Sequence, residues 1–299
     1  MSATIIMGEI MYKVDNAIIL AAGTASRFAP LSYEKPKALI EVRGEVLIER
    51  QIKQLQEAGI KEIVIVTGYM SEQFEYLAEK YSVILINNVD YLTRNNHASI
   101  YAARDYIKNS YICSSDNYFE NNPFEESVKE SYYAVVYASG ETKEWCVYED
   151  EKGYINKVEI GGNDAWYMLG HVFWDENYSK KFLDILNRIY DMPETFDLLW
   201  EHIYIKNLDV LKMKTRKYAE TDIWEFDTLD ELRLFDSSYV EDTQSHILKY
   251  IAAKLGVREE QITNLDVITD TDNASTGFTF LCSNRKYRFN YEKKELREL

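Results

Sequence analysis

Two cations, Arg27 and Lys37, follow a short turn of small residues, and that order of residue types describes a cradle for phosphate groups. The stretch reads Ala17-Ile-Ile-Leu-Ala-Ala-Gly23-Thr-Ala-Ser-Arg27-Phe-Ala-Pro30-Leu-Ser-Tyr-Glu-Lys-Pro36-Lys37-Ala-Leu39. Gly23, Thr24, Ala25 and Ser26 carry little bulk, so backbone N–H groups there can approach an anion closely. Arg27 supplies a planar fork of donors and Lys37 a compact charge on a backbone pre-set by Pro36. The Gly-Lys-Ser/Thr succession of the kinase and GTPase phosphate loop is missing, so this is a different cradle. Further on, Asp116 follows the short apolar run Tyr111–Cys113, and Asp227 stands in Trp224-Glu-Phe-Asp-Thr. Hard carboxylates of this kind suit Mg2+ that also binds substrate phosphates.

The elements that must hold these groups are legible in the periodicity. Ala17–Leu20 reads as a first, central strand. Val46–Ala58 reads as a helix, with Leu47, Ile48, Ile52, Leu55 and Ala58 at helical spacing and Gly59 as the stop. Glu62–Thr67 is a β-branched strand with a turn at Gly68-Tyr69, Ser71 caps a helix, and Val83–Ile86 is a third strand. Strand–helix–strand at these lengths implies a parallel sheet covered on both faces, which binds ligands beyond the carboxyl ends of its strands. That rule alone singles out Asp116. The Asn-rich stretch through Asn95 and Asn96 is a loop before a helix starting at His97 or Ala98.

From Tyr132 the pattern changes to short strands at Tyr132–Ala138, Cys146–Tyr148, Tyr154–Ile160 and Met168–Trp174. Helices follow near Asn177–Tyr190 and Thr195–Lys206, then a strand at Val210–Lys214 and a helix at Leu229–Phe235. Ser245–Leu255 is an amphipathic helix, and Phe278–Cys282 pairs with Lys286–Phe289 as a hairpin around Ser283-Asn284. The expected organisation is an N-terminal extension at 1–15, one α/β domain at 16–236 with an insert at about 132–215, and a small α+β appendage at 237–299.

The chain has 299 residues, 46% of them hydrophobic, with only 4 Pro and 12 Gly, which predicts a globular protein without long linkers. Its 34 Lys and Arg against 50 Asp and Glu give a formal charge of -16. Such a field repels nucleic acid and anionic membrane surfaces, so a nucleotide has to be held by local cations and a divalent metal. Cys113, Cys146 and Cys282 are odd in number and lack zinc spacing, which reads as a reducing, cytoplasmic setting. No run reaches the ~18 apolar residues of a membrane span. His97, His171, His202 and His246 show no metal-ligand spacing.

The signature at Ala17–Leu39 resembles the loop of the sugar-nucleotidyltransferase-like (MobA-like NTP transferase) superfamily, roughly Leu-Ala-Ala-Gly-x-Gly-x-Arg, then Pro-Leu, then Pro-Lys-Ala/Pro-Leu. Within it the chain is most similar to bacterial CTP:phosphocholine cytidylyltransferases, from about Asn16 to about Phe235. Ala25 replaces the usual second glycine. That is tolerable at φ < 0 and costly in the left-handed region. The segment from Thr276-Gly277-Phe-Thr-Phe to Arg285-Lys-Tyr-Arg-Phe weakly resembles the opening strands of choline-kinase-like proteins. It lacks a kinase's catalytic segments, so either a piece of a longer chain or a small docking domain fits 237–299.

The resemblance implies a Rossmann-like nucleotide-diphospho-sugar transferase fold, with a mixed central sheet, helices on both faces and the appendage. It also implies a Mg2+-dependent enzyme that joins CTP and phosphocholine into CDP-choline and pyrophosphate. Arg27 then meets the β- and γ-phosphates, and Lys37 bridges the α-phosphate and the acceptor phosphate, with Lys35 either a helper or a surface charge. Ala22, Gly68, Tyr69, Asn88 and Ser99 line the base, while Asn95 and Asn96 either join them or cap their loop. Asp116 and Asp227 hold the metal, although Asp227 could instead cap the helix near Thr228. Glu144 and Trp145, with Trp200 and Glu201, match the acceptor pocket. A quaternary ammonium offers no N–H, so aromatic faces beside a carboxylate suit it, yet each Trp could equally be core. Phosphoethanolamine or 2-aminoethylphosphonate as acceptor, or a sugar-1-phosphate, are the alternatives within the fold. A catalytically silent binding module is the alternative outside it. A homodimer is compatible with all of these.

Overall fold

The computed structural model describes residues 3–6, 9–270 and 275–299. The chain forms two compact units, residues 1–23 with 48–225, and residues 24–47 with 226–299. This division differs from the expected one. The cation-bearing stretch Thr24–Leu47 belongs to the same compact unit as Phe226–Leu299.

The first unit is built on a seven-stranded sheet. Its strands are β1 (Asn16–Ala21), β2 (Glu62–Thr67), β3 (Ile84–Asn87), β4 (Ser110–Ser114), β5 (Tyr132–Glu149), β6 (Ile155–Trp174) and β7 (Lys214–Tyr218), in the spatial order β7-β5-β6-β4-β1-β2-β3. Strands β1, β2, β3 and β4 pair in parallel, whereas β6 runs antiparallel to both β4 and β5. The sheet is therefore mixed. Ile18 and Ile19 of β1, like Val64 and Ile65 of β2, are fully buried although they point to opposite faces. Both faces are covered, which explains the continuous apolar runs. One face carries helices α3 (His97–Ala102), α4 (Glu176–Ile189) and α5 (Trp200–Ile205), whose Ile100, Phe182, Trp200 and Tyr204 pack with Ile18, Val64, Ile112 and Trp174 in one core. Helix α1 (Leu47–Glu57) ends where expected, with Gly59 at φ +87°.

Several local expectations are corrected. The four short strands between Tyr132 and Trp174 are two long ones of 18 and 20 residues. Register shifts along the pair break the period-two alternation that marks a strand in sequence. Helix α2 (Glu75–Tyr81) starts after a 3-10 turn at Ser71–Phe74, without a side-chain cap. The expected helix 195–206 is a turn at Pro193–Thr195 followed by α5. The amides of Val210 and Leu211 bond back to the Asn207 carbonyl, so β7 starts only at Lys214. Within the 1–15 segment, Ala3–Ile6 and Glu9–Lys13 pair as strands.

The second unit contains α6 (Leu229–Phe235), α7 (His246–Leu255) and an antiparallel sheet of β8 (Ile262–Thr269), β9 (Ser275–Cys282), β10 (Arg285–Asn290) and β11 (Glu295–Glu298). The expected hairpin is β9–β10, with Cys282 opposite Arg285. Among the described residues no helix is long and apolar enough to cross a membrane.

Candidate functional site

In the second unit, both cations of the loop converge on one carboxylate. Arg27 Nη1 lies 2.7 Å from Asp227 Oδ2, and Lys37 Nζ lies 3.8 Å from Asp227 Oδ1. The two cations differ in surroundings. Arg27 is 71% exposed, while Lys37 is only 8% exposed and has its ammonium 5.7 Å from the centre of the Phe28 ring. Lys35 is exposed. Asp227 is not the helix cap: the Thr228 hydroxyl accepts from the Glu231 amide, and the Glu231 carboxylate accepts from the amides of Asp227 and Thr228. The Asp227 carboxylate is thus left to the two cations.

The loop itself carries strain. Ala25 sits at φ 47°, ψ 45°, in the left-handed region, the costly case for a residue with a Cβ. Ser26–Phe28 then form a 3-10 turn, in which the Phe28 amide bonds to the Ala25 carbonyl at 2.9 Å.

In the first unit, the residues expected at the base lie together at the ends of β1, β2 and β3. The Tyr69 amide donates to the Ala22 carbonyl at 3.1 Å, and the Asn88 amide to the Thr67 carbonyl at 2.8 Å. Asn88 Nδ2 reaches Ser99 Oγ at 3.1 Å, tying the strand end to α3, and both residues are buried. Gly68 is demanded by packing: a Cβ there would meet the Tyr91 ring at 2.8 Å and the Ala22 carbonyl at 2.9 Å. Asp116 lies half-buried in the turn after β4. Gln51 of α1 positions that turn by donating to the carbonyls of Ser114 at 2.8 Å and Asn117 at 3.0 Å, on either side of it. The sequence reading missed Gln51. A signal was present, because Gln51 falls on the apolar stripe with Ile48, Ile52 and Leu55, where a polar side chain needs a partner.

The acceptor-side residues separate into two groups. Trp200 is a core residue, 4% exposed, stacked on Tyr133 at 5.7 Å and edge-on to Trp174. Glu201 is half-buried beside it and accepts from Asn96 Nδ2 at 3.2 Å, while Asn96 Oδ1 accepts from the Trp200 amide at 2.7 Å. Burial pushes the Glu201 carboxyl up to about 7, against the hydrogen bonds it receives from its own backbone, Asn96 and Tyr133. Trp145 is half-buried, its ring 5.0 Å from that of His202 on α5. Glu144 is exposed. Asn95 Nδ2 donates to the Asp197 carbonyl at 3.2 Å, and His97 Nδ1 lies 2.6 Å from the Leu198 carbonyl. The Asn-rich loop is therefore tied to the residues just before α5.

Among the described residues no three His, Cys, Asp or Glu side chains cluster as a metal cage. A divalent cation held partly by substrate phosphates and water needs no such cage, since one or two carboxylates suffice, and Asp116 in the first unit and Asp227 in the second each offer a hard carboxylate of that type.

Residues 17–150 match the MobA-like NTP transferase domain. The chain is 34% identical over 217 residues to the choline-phosphate cytidylyltransferase of Streptococcus pneumoniae, spanning 73% of this chain and 95% of that protein. It is also 34% identical over 229 residues to the 2-aminoethylphosphonate cytidylyltransferase of Lancefieldella rimae, spanning 75% and 93%. The solved structure of the CTP:phosphocholine cytidylyltransferase from Streptococcus pneumoniae superposes with a TM-score of 0.72 at 33% identity, covering 76% of this chain and 99% of that one. With the loop cations gathered on Asp227 and the strand ends arranged as described, the chain belongs to the MobA-like NTP transferase family, in the cytidylyltransferase group that these relatives represent.

Proposed function

We propose that the protein transfers a cytidylyl group from CTP to phosphocholine, giving CDP-choline and pyrophosphate. A phosphate oxygen of the acceptor attacks the α-phosphorus of CTP, the bond from that phosphorus to the β-phosphate bridging oxygen breaks, and pyrophosphate leaves with the electron pair. The acceptor phosphate is already ionised near neutral pH, so no general base is needed. The protein's task is to neutralise charge and hold the oxygens in line. Arg27 takes the β- and γ-phosphates, and Lys37 takes the α-phosphate and the acceptor phosphate. The backbone of Gly23, Thr24, Ala25 and Ser26 faces the triphosphate, and Ala22, Gly68, Tyr69, Asn88 and Ser99 meet the base. Asp116 and Asp227 are the carboxylates that would hold Mg2+, which would offset the negative charge of the phosphates.

The observation that carries this reading is the shared Asp227 carboxylate. A cation pair matched to a carboxylate in this loop is what a metal–phosphate ligand would enter, with Arg27 exchanging an aspartate partner for phosphate oxygens. On the acceptor side, Trp145 offers an indole face, and Glu144 and Glu201 offer carboxylates.

2-Aminoethylphosphonate is the second reading, and a specific observation favours it. Burial of Trp200 withdraws one indole from any aromatic cage and leaves the Glu201 carboxylate, which suits a primary ammonium. Pyrophosphate release with CTP, UTP, ATP or GTP, each paired with phosphocholine, phosphoethanolamine, 2-aminoethylphosphonate or glucose-1-phosphate, decides among them. CTP with phosphocholine should be fastest, chelation should stop turnover and Mg2+ restore it. A preference for glucose-1-phosphate would sink both readings.

A further inference from the structure

We propose that Glu34 is a positioning residue for the phosphate-binding loop, through which the segment beyond Asp236 clamps Lys35 and Lys37 in place. The inference rests on the nucleotidyl-transfer reading and extends it to residues that no catalytic step involves.

Glu34 immediately precedes Lys35 in sequence, yet its carboxylate is committed to the start of α7. One oxygen accepts from the Ser245 hydroxyl and from the Ile247 amide at 3.3 Å, and the other accepts from the His246 amide at 2.8 Å. Ser245 is itself the cap of α7, its Oγ accepting from the Leu248 amide at 3.1 Å. The charge therefore lies where the helix presents unsatisfied N–H groups and the positive end of its dipole. Two further ties hold the chain on the other side of Lys37: the Tyr239 hydroxyl donates to the Glu41 carbonyl at 2.6 Å, and Asp236 Oδ2 accepts from the Arg43 amide at 2.6 Å. Next to Glu34, Tyr33 stacks on Tyr291 with ring centres 3.8 Å apart. Ser245, Tyr239 and Asp236 are all buried, whereas Glu34 is half-buried and its bond from the His246 amide faces solvent.

Lys37 is thus flanked by anchors at residues 33, 34, 41 and 43, all made to residues 236–291. Relatives that this chain covers almost entirely match only about three quarters of it. A loop whose cations must meet three phosphates in fixed geometry gains from such bracing, because every residue it immobilises lowers the ordering cost at binding.

The test uses the full chain with Glu34→Ala and, as the milder variant, Glu34→Gln, which keeps an acceptor for Ser245 but turns an NH2 toward the His246 amide. Glu34→Ala should weaken Mg2+–CTP binding by about fivefold to twentyfold in titration calorimetry. It should also speed amide exchange over residues 35–39 and leave the KM for phosphocholine within about twofold. Glu34→Gln should fall between Glu34→Ala and the unaltered chain. Unchanged CTP affinity in both variants, or equal loss for CTP and phosphocholine, would overturn the proposal. If the unaltered chain shows no turnover but Glu34→Ala still loses CTP affinity, the reaction assignment fails and the clamp stands.

Discussion

Asp227 accepts Arg27 at 2.7 Å even though the arginine side chain is 71% exposed, so this ion pair holds a flexible cation at one place in solvent. An exposed pair of this kind stabilises a fold by only about 0–1 kcal/mol. In the proposed function its value lies in keeping the guanidinium oriented until a phosphate arrives. Asp227→Asn should therefore leave the melting temperature nearly unchanged while lowering kcat/KM at least about a hundredfold, the scale of a lost electrostatic contact to a transition state. A large drop in stability with intact turnover would contradict this.

Lys37 and Arg27 should fail differently. Lys37 is nearly buried and, in the proposed role, meets charge that builds during the reaction, so Lys37→Ala should reduce kcat by about 10²–10³ with a modest change in KM. Arg27→Ala, which in the proposed role removes a contact to phosphates present throughout, should mainly raise the KM for CTP. Steady-state kinetics at saturating phosphocholine distinguishes the two patterns.

Ala25 offers a test of the loop's strain. Its left-handed backbone costs an L-residue about 1–2 kcal/mol relative to glycine's freedom. Ala25→Gly should therefore be neutral or stabilising by up to about 1 kcal/mol in urea unfolding, because glycine's extra entropy in the unfolded chain offsets part of the relief. Gly23 is the converse. A Cβ there meets nothing within 4 Å, so Gly23→Ala should fold normally, and any rise in the KM for CTP would come from the ligand side.

The two tryptophans of the acceptor side should separate stability from binding. Trp200→Ala removes a core side chain and should cost about 3–5 kcal/mol in unfolding free energy. Trp145→Ala should cost much less and raise the KM for phosphocholine without altering that for CTP. Equal KM effects from both would place Trp200 in contact with substrate after all.

Glu201 sets a pH dependence. Its carboxyl titrates near 7 in the fold because burial disfavours the charge, against an unfolded value of 4.5. Between these values the folded chain holds a proton that the unfolded chain has lost, so this contribution to stability falls as pH rises from about 4.5 through about 7. Glu201→Gln should flatten that part of the stability profile. A cationic acceptor favours the ionised carboxylate, so the KM for phosphocholine should fall as pH rises through 7 in the unaltered chain and lose that slope in Glu201→Gln.

Much of the framework was legible because it is written in local pattern. The strand Glu62–Thr67 is β-branched from Ile63 onward, and Ser245 and Gly256 mark the two ends of α7. The long pair β5–β6 was not legible as such, since its irregular register scrambles alternation. Gln51 shares the apolar stripe of α1, but its partners, the carbonyls of Ser114 and Asn117, lie more than sixty positions away and no local pattern names them.

By itself the sequence determined the strand–helix–strand alternation from Ala17 to Ile86, the small-residue loop and the residue types available for phosphate and metal chemistry, because each depends on neighbours a few positions apart. The tertiary structure alone decided that Trp200 is core, that Asp227 serves two cations instead of capping α6, and that Glu34 grips the start of α7. Those facts depend on contacts between residues as far as 212 positions apart, which no periodicity in the chain encodes, and they appear only when burial and hydrogen bonding are satisfied together.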